Sequence, residues 1–213
     1  LNVAAIDIGS NAARLYICSF FNDGADQTRI KILEFVRVPV RLGDDVFTQQ
    51  FIPENKAIEL QETMQAFALL MKLFNVEDYR ACATSAMREA KNGKDIVKKI
   101  DSEVGLKIDI IPGNKEAELI YKAHQGHIAE GRNLLFIDVG GGSTEISLLQ
   151  GSRKIASRSF DIGAVRVLDK QDKPKDWEQM REWLKAVVKP FKADYAIGTG
   201  GNINKMFDLM NLK

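Results

Sequence analysis

The chain is poor in several features that mark whole classes of protein. Its 213 residues hold two cysteines, Cys18 and Cys82. Each sits in an apolar, strand-like run, which argues against a disulfide framework and reads as reduced thiols of a reducing, cytoplasmic setting. There are two histidines, His124 and His127. They lie one helical turn apart with no third ligand apparent, so a plain helix surface is the better reading than a metal centre. An excess of one charge is also missing: the net charge is +1, and no global field draws in nucleic acid or a membrane surface. No apolar run is long enough to span a bilayer, and no signal peptide is visible. What remains is 45% hydrophobic and 28% charged, the make-up of a globular chain with material for one or two cores.

One segment occurs twice. Residues 4–17 read AAIDIGSNAARLYI and residues 135–149 read LFIDVGGGSTEISLL. Each is a strand ending in Asp, a turn of small residues, and a second strand. Asp7 aligns with Asp138, and Gly9 with Gly140. A Gly- and Ser-rich turn between strands leaves backbone N–H groups pointing one way, a nest for phosphate oxygens. The Asp beside it can hold a hard cation such as Mg²⁺, directly or through water.

The remaining pattern is an alternation of strands and helices. Strands are expected over 2–9, 13–21 and 29–40, then a helix from Pro53 to about Phe74, where Leu60, Met64, Phe67, Ala68, Met71 and Phe74 recur at three- and four-residue spacing. A strand follows over Tyr79–Thr84, then a short helix with Arg88, a helix over 93–104 stopped by Gly105, a strand over Leu106–Ile111, and a helix from about Asn114 to Glu130. The order then restarts: strands over Asn133–Val139, Thr144–Gln150 and Lys154–Asp161, a helix over 175–189, a strand over Asp194–Ile197 and a helix over Asn202–Leu212. The boundary falls near Glu130-Gly131, giving units of 1–130 and 131–213. The second unit lacks a final strand and helix present in the first, and duplication predicts matching halves, so a truncated second unit is expected.

The stretches AIDIGSNAARL (5–15), ATSAMREAKNG (83–93), IPGNKEAELIY (111–121), FIDVGGGSTEIS (136–147), IGAVRV (162–167) and IGTGGNINKM (197–206) together resemble the exopolyphosphatase / guanosine pentaphosphate phosphohydrolase family. That resemblance implies an α/β fold of two ribonuclease-H-like, actin/Hsp70-type lobes, βββαβαβα and then an incomplete βββαβα, with a cleft between them. It also implies a polyanionic substrate, a divalent cation, a missing C-terminal part and dimerisation in the full-length protein. Two positions depart from the family pattern: Ala12 stands where Ser or Thr is usual, and Asn202 where Thr is usual.

The candidate residues follow. Gly9, Ser10 and Asn11 would present amides and polar groups to phosphate. Gly140, Gly141 and Gly142 let backbone approach an anion closely, with Ser143 and Thr144 adding hydroxyls. Asp7, Asp138 and Glu145 are the metal candidates, although Glu145 reads equally as an exposed strand carboxylate. Arg88 would clamp a terminal phosphate, or pair with a neighbouring acid such as Glu89. Gly200 and Gly201 lie between a strand and a helix, where phosphate or nucleotide binds, or simply close the site. Arg166 is a further polyanion contact. The resemblance places the catalytic carboxylate at Glu116, the base that takes a proton from the attacking water, with Lys115 beside it to keep it ionised. The function implied is release of terminal phosphate from polyphosphate or guanosine pentaphosphate. A sensor without turnover and a small-metabolite kinase of the same fold are the alternatives.

Overall fold

The computed structural model of the chain describes residues 1–22, 28–113, 115–116, 118–119, 132–151 and 153–210. It divides into two compact units, Leu1–Ile111 and Pro112–Lys213. The boundary expected near Glu130-Gly131 lies outside the described residues, as do His124 and His127.

The first unit is built on a five-stranded sheet in the order β3-β2-β1-β4-β5. Its strands are β1 (Asn2–Ile8), β2 (Ala13–Asn22), β3 (Thr28–Val38), β4 (Asp78–Ala83) and β5 (Asp109–Ile110). The first three run antiparallel, whereas β4 and β5 continue parallel to β1. Alternation assigns the faces: Ala4, Ile6 and Ile8 of β1 are buried, and Asp7 between them looks to the other side. Helices cover the buried face. In α2 (Glu54–Leu73) Leu60, Met64, Phe67 and Met71 are buried at helical spacing. In α4 (Gly93–Val104) Ile96 and Ile100 are buried, and Gly105 ends the helix at φ 76°. The short α3 (Ser85–Glu89) carries Arg88.

Two departures from the sequence reading have physical causes. The strand expected over Leu106–Ile111 pairs only at Asp109–Ile110, against Cys82 and Ala83. The amide of Lys107 donates instead to the Tyr79 hydroxyl at 2.9 Å, while Leu106 and Ile108 still pack into the core. In addition, a helix that the periodicity did not announce, α1 (Leu42–Gln49), buries Leu42, Val46 and Phe47. Its ends, Arg41 and Gln50, are left-handed (φ 55° and 54°) without being glycine, so the usual punctuation is missing.

The second unit repeats the plan with a four-stranded sheet, β8-β7-β6-β9. Its strands are β6 (Asn133–Val139), β7 (Thr144–Gln150), β8 (Arg153–Phe160) and β9 (Tyr195–Thr199). The strand order and directions match the first unit up to β4, as expected of two actin/Hsp70-type lobes. Both sheets carry a register shift at the equivalent place, between Ile17 and Cys18 and between Leu148 and Leu149. After β8 comes α5 (Ala164–Leu168), the counterpart of α1 and equally unannounced. The helix expected over 175–189 runs as α6 (Pro174–Trp183), a π-helical turn over Leu184–Val188, and α7 (Lys189–Phe191). Its Met180, Trp183 and Leu184 pack on Ile146, Phe160 and Ile162, with the Trp183 and Phe160 rings edge to face at 5.7 Å. Trp177 lies on the exposed side and donates to Asp172 at 2.8 Å. The chain closes with α8 (Gly201–Leu209).

Candidate functional site

The duplicated turns share one hydrogen-bond design. In the first, the Gly9 amide donates to the Ala12 carbonyl at 3.0 Å; in the second, the Gly140 amide donates to the Ser143 carbonyl at 2.9 Å. The carbonyls between are held by the helix that follows the third strand. The amides of Gly43 and Arg41 reach the carbonyls of Ser10 (2.8 Å) and Asn11 (3.0 Å). The amides of Ala164 and Val165 reach those of Gly140 (2.9 Å) and Gly141 (2.8 Å). Arg166 Nε reaches that of Gly142 at 2.6 Å.

A trans peptide is planar, with its N–H opposed to its C=O. Holding the carbonyls inward therefore turns the next residue's amide outward. The amides so turned belong to Asn11 and Ala12 in one loop and to Gly141, Gly142 and Ser143 in the other. None of them has an acceptor among the described residues. Ala12, Gly142 and Ser143 are buried residues, where an unmatched backbone donor is costly. The side chains mostly serve the frame. The Ser10 and Ser85 hydroxyls bond each other at 2.8 Å. Thr144, whose hydroxyl was expected to face phosphate, donates to the Ile162 carbonyl at 2.6 Å.

Beneath each loop a row of polar residues crosses the sheet. Residues in direct register share a face. In the second unit the row is Ser159, Glu145, Asp138, Thr199. Ser159 donates to Glu145 at 2.7 Å and Thr199 donates to Asp138 at 2.5 Å. Glu145 is 3% exposed, which removes the reading of an exposed strand carboxylate. In the first unit the row is Arg37, Arg14, Asp7, Cys82 and Asp109, and Arg14 bonds Asp7 at 2.7 Å. Equivalent positions thus carry an Arg–Asp pair in one unit and two facing carboxylates in the other. Both cysteines are unbridged and half-buried.

No group of three or more His, Cys, Asp or Glu forms a metal cage among the described residues. Mg²⁺ does not need one, because it keeps several waters and commonly takes one or two carboxylates together with substrate phosphates. Asp138 and Glu145 fit that demand. Asp7 already faces a guanidinium.

The β9–α8 turn stands against this row. Gly200 has φ 105°, and a Cβ there would lie 2.2 Å from the Val139 carbonyl oxygen, so only glycine lets the turn approach the end of β6. Gly201 has open space around it. Arg88 follows the strand-to-helix turn at Thr84, and its Nη1 donates to the Ile111 carbonyl at 2.8 Å, which fixes one edge of the guanidinium. Glu116 is half-buried in the helical segment that starts at Gly113, its amide 3.1 Å from the Pro112 carbonyl. Lys115, expected beside it, instead pairs with Glu118 at 3.0 Å, three residues on along the same helix face.

Sequence reasoning missed Arg14 and Thr199. Arg14 was recoverable: a four-residue turn after Ile8 places it opposite Asp7. Thr199 depends on a parallel register between distant strands, for which the sequence carries no marker.

The fold is that of two actin/Hsp70-type units, each with the same loop between its first two strands. The chain belongs to the Ppx/GppA phosphatase family, whose sequence profile matches residues 22–207. It is 35% identical over 178 residues to exopolyphosphatase 2 of Mycobacterium tuberculosis, covering 79% of this chain and 54% of that protein. It is 28% identical over 221 residues to the guanosine-5'-triphosphate,3'-diphosphate pyrophosphatase of Photobacterium profundum, covering 97% and 43%. Among solved structures, the Aquifex aeolicus member of the Ppx/GppA family superposes with a TM-score of 0.78 at 29% identity, covering all of this chain and 70% of that one. The chain spans about half the length of these two curated relatives. Among the described residues no helix is long and apolar enough to cross a membrane.

Proposed function

We propose that the protein is a metal-dependent phosphohydrolase that releases terminal phosphate from inorganic polyphosphate, guanosine pentaphosphate or both. The observation that carries this reading is the pair of loops whose amides are turned outward without an acceptor among the described residues. Such donors suit the oxygens of a phosphoanhydride. The names of the relatives, an exopolyphosphatase and a guanosine pentaphosphate pyrophosphatase, agree with that substrate class.

A divalent cation such as Mg²⁺, held by Asp138 and Glu145, would offset phosphate charge. The chain's own groups do the rest. The loop amides bind and orient phosphate oxygens. The Arg14–Asp7 pair marks the first unit as the half that meets phosphate without a cation. Arg88 engages the terminal phosphate. Glu116 accepts a proton from water as its oxygen attacks the terminal phosphorus; the anhydride bond breaks and the shortened chain leaves with the bridging oxygen.

The test is phosphate release by the full-length protein from each substrate with Mg²⁺, paired with binding measurements on Glu116→Gln. That variant should keep binding and lose about 10²–10⁴-fold in turnover. Activity near the parent level would remove Glu116 from the base role. Tight binding without release by the parent protein would favour a sensor, a reading to which the buried, hydroxyl-free Ala12 lends support. Phosphate transfer to an added acceptor would favour a kinase.

A further inference from the structure

Arg166 belongs to the IGAVRV stretch and was read from sequence as a contact to the polyanion. Its place in the structure is different. It lies within α5, a helix too short to bury an apolar face, and is that helix's one buried residue. The residue is 7% exposed. Its Nε donates at 2.6 Å to the carbonyl of Gly142, and its amide lies 3.4 Å from that of Gly141. The peptide whose carbonyl Arg166 holds is the one whose N–H belongs to Ser143. The two peptides before it are held by the amides of Ala164 and Val165. Gly163 lets α5 come this close, since a Cβ there would sit 2.4 Å from the Gly141 carbonyl oxygen. Among the described residues the first loop has two such anchors, both backbone amides, at Gly43 and Arg41. The second loop therefore carries one anchor more, and it is a side chain.

We infer that Arg166 is a positioning residue of the second loop: it fixes the Gly142–Ser143 peptide so that the Ser143 amide faces the bound phosphate. A buried guanidinium donating along its Nε–H is a directional, charge-assisted bond that backbone hydration would not reproduce. Glycine at three successive loop positions leaves the backbone free to adopt other conformations, so a loop of this composition needs external anchors to hold one set of peptide planes. The inference rests on the phosphate-binding reading of that loop.

The experiment is amide-resolved hydrogen exchange on the full-length protein with Mg²⁺, with and without tripolyphosphate, in the parent, Arg166→Gln and Arg166→Lys. In the parent, tripolyphosphate should slow exchange at Gly141, Gly142 and Ser143. In Arg166→Gln that slowing should be lost and tripolyphosphate affinity should fall about tenfold or more, with β6 and β7 still protected. Lysine keeps the charge but not the planar Nε–H, so Arg166→Lys should behave like Arg166→Gln. Recovery of affinity in Arg166→Lys would make Arg166 a direct charge contact and overturn the inference. So would parent-like slowing at the three amides in Arg166→Gln, loss of protection spreading through β6 and β7, or failure of both variants to fold. If tripolyphosphate leaves the parent's exchange unchanged, the phosphate-binding reading itself fails. Ligand-free exchange at Ala164 and Val165, which donate to the same loop, then still decides the anchoring role: acceleration in Arg166→Gln supports it and no change refutes it.

Discussion

Asp138 is held by a hydroxyl from the neighbouring strand. Thr199 donates to it at 2.5 Å from the neighbouring parallel strand, holding one carboxylate oxygen; the other is the one that the proposed cation or its waters would meet. Thr199→Val removes the donor with little change in volume. It should raise the Mg²⁺ concentration needed for half-maximal phosphate release about tenfold or more, in line with loss of a bond to a charged group worth about 1.5–3 kcal/mol, while Thr199→Ser restores the parent behaviour. An unchanged metal titration in Thr199→Val would show that Asp138 needs no such alignment.

Two glycines separate strain from crowding at the same scale. Gly105 is left-handed but has nothing within 4 Å of its absent Cβ, whereas Gly163 has ordinary backbone angles and crowds the Gly141 carbonyl. Gly105→Ala should cost about 1 kcal/mol through backbone strain alone and leave tripolyphosphate affinity as it was. Gly163→Ala should weaken that affinity by more than tenfold, roughly 1.4 kcal/mol or above, because the carbonyl it strikes belongs to the loop. Denaturant unfolding and calorimetric titration of the two variants check the contrast; equal effects on affinity would sink it.

Among elements, the legible and the illegible divide by length and by partner. β6 and β7 begin and end where the sequence puts them, because a hairpin with a short Gly-rich turn fixes its own register. The long α2 was visible from its apolar spacing. The helices α1 and α5 were not: they are short, and three buried side chains in α1 and one in α5 give too few repeats to reveal a period. Yet these are the elements that anchor the loops. The joints between elements were hidden too. Asn92, at the start of α4, exchanges two bonds with Ile52, which precedes α2: Ile52 N–H to Oδ1 at 3.0 Å, and Nδ2 to the Ile52 carbonyl at 2.8 Å. Asn92→Ala breaks both and strands two backbone groups. It should lower the unfolding free energy by about 2 kcal/mol, with accelerated exchange confined to α4 and the α1–α2 connection. A change within a few tenths of that free energy of zero would mean that water replaces the side chain without loss.

At the scale of the molecule, the duplication visible in the sequence produced two units with the same strand plan but, among the described residues, unequal cores. Most of the largest fully buried side chains of those residues, among them Phe67, Leu15, Leu60, Met64 and Ile100, belong to the first unit; Leu148 and Leu149 are those of the second. The second unit's α6 and α8 contain no buried residue, and Met206, Phe207, Leu209 and Met210 are exposed along α8. Local stability follows buried apolar contact, so amides of β9 and α8 should exchange well ahead of those of β4 and α2. The same inequality predicts how core truncations act. Phe67→Ala and Leu149→Ala each remove a fully buried side chain, a loss of about 2–5 kcal/mol. Phe67→Ala should speed exchange in β1, β2 and α2, and Leu149→Ala in β6, β7 and β9, each leaving the other unit's pattern in place. If either substitution instead raised exchange evenly through both sheets, the two cores would be one cooperative unit, and the loops they carry would be coupled through folding.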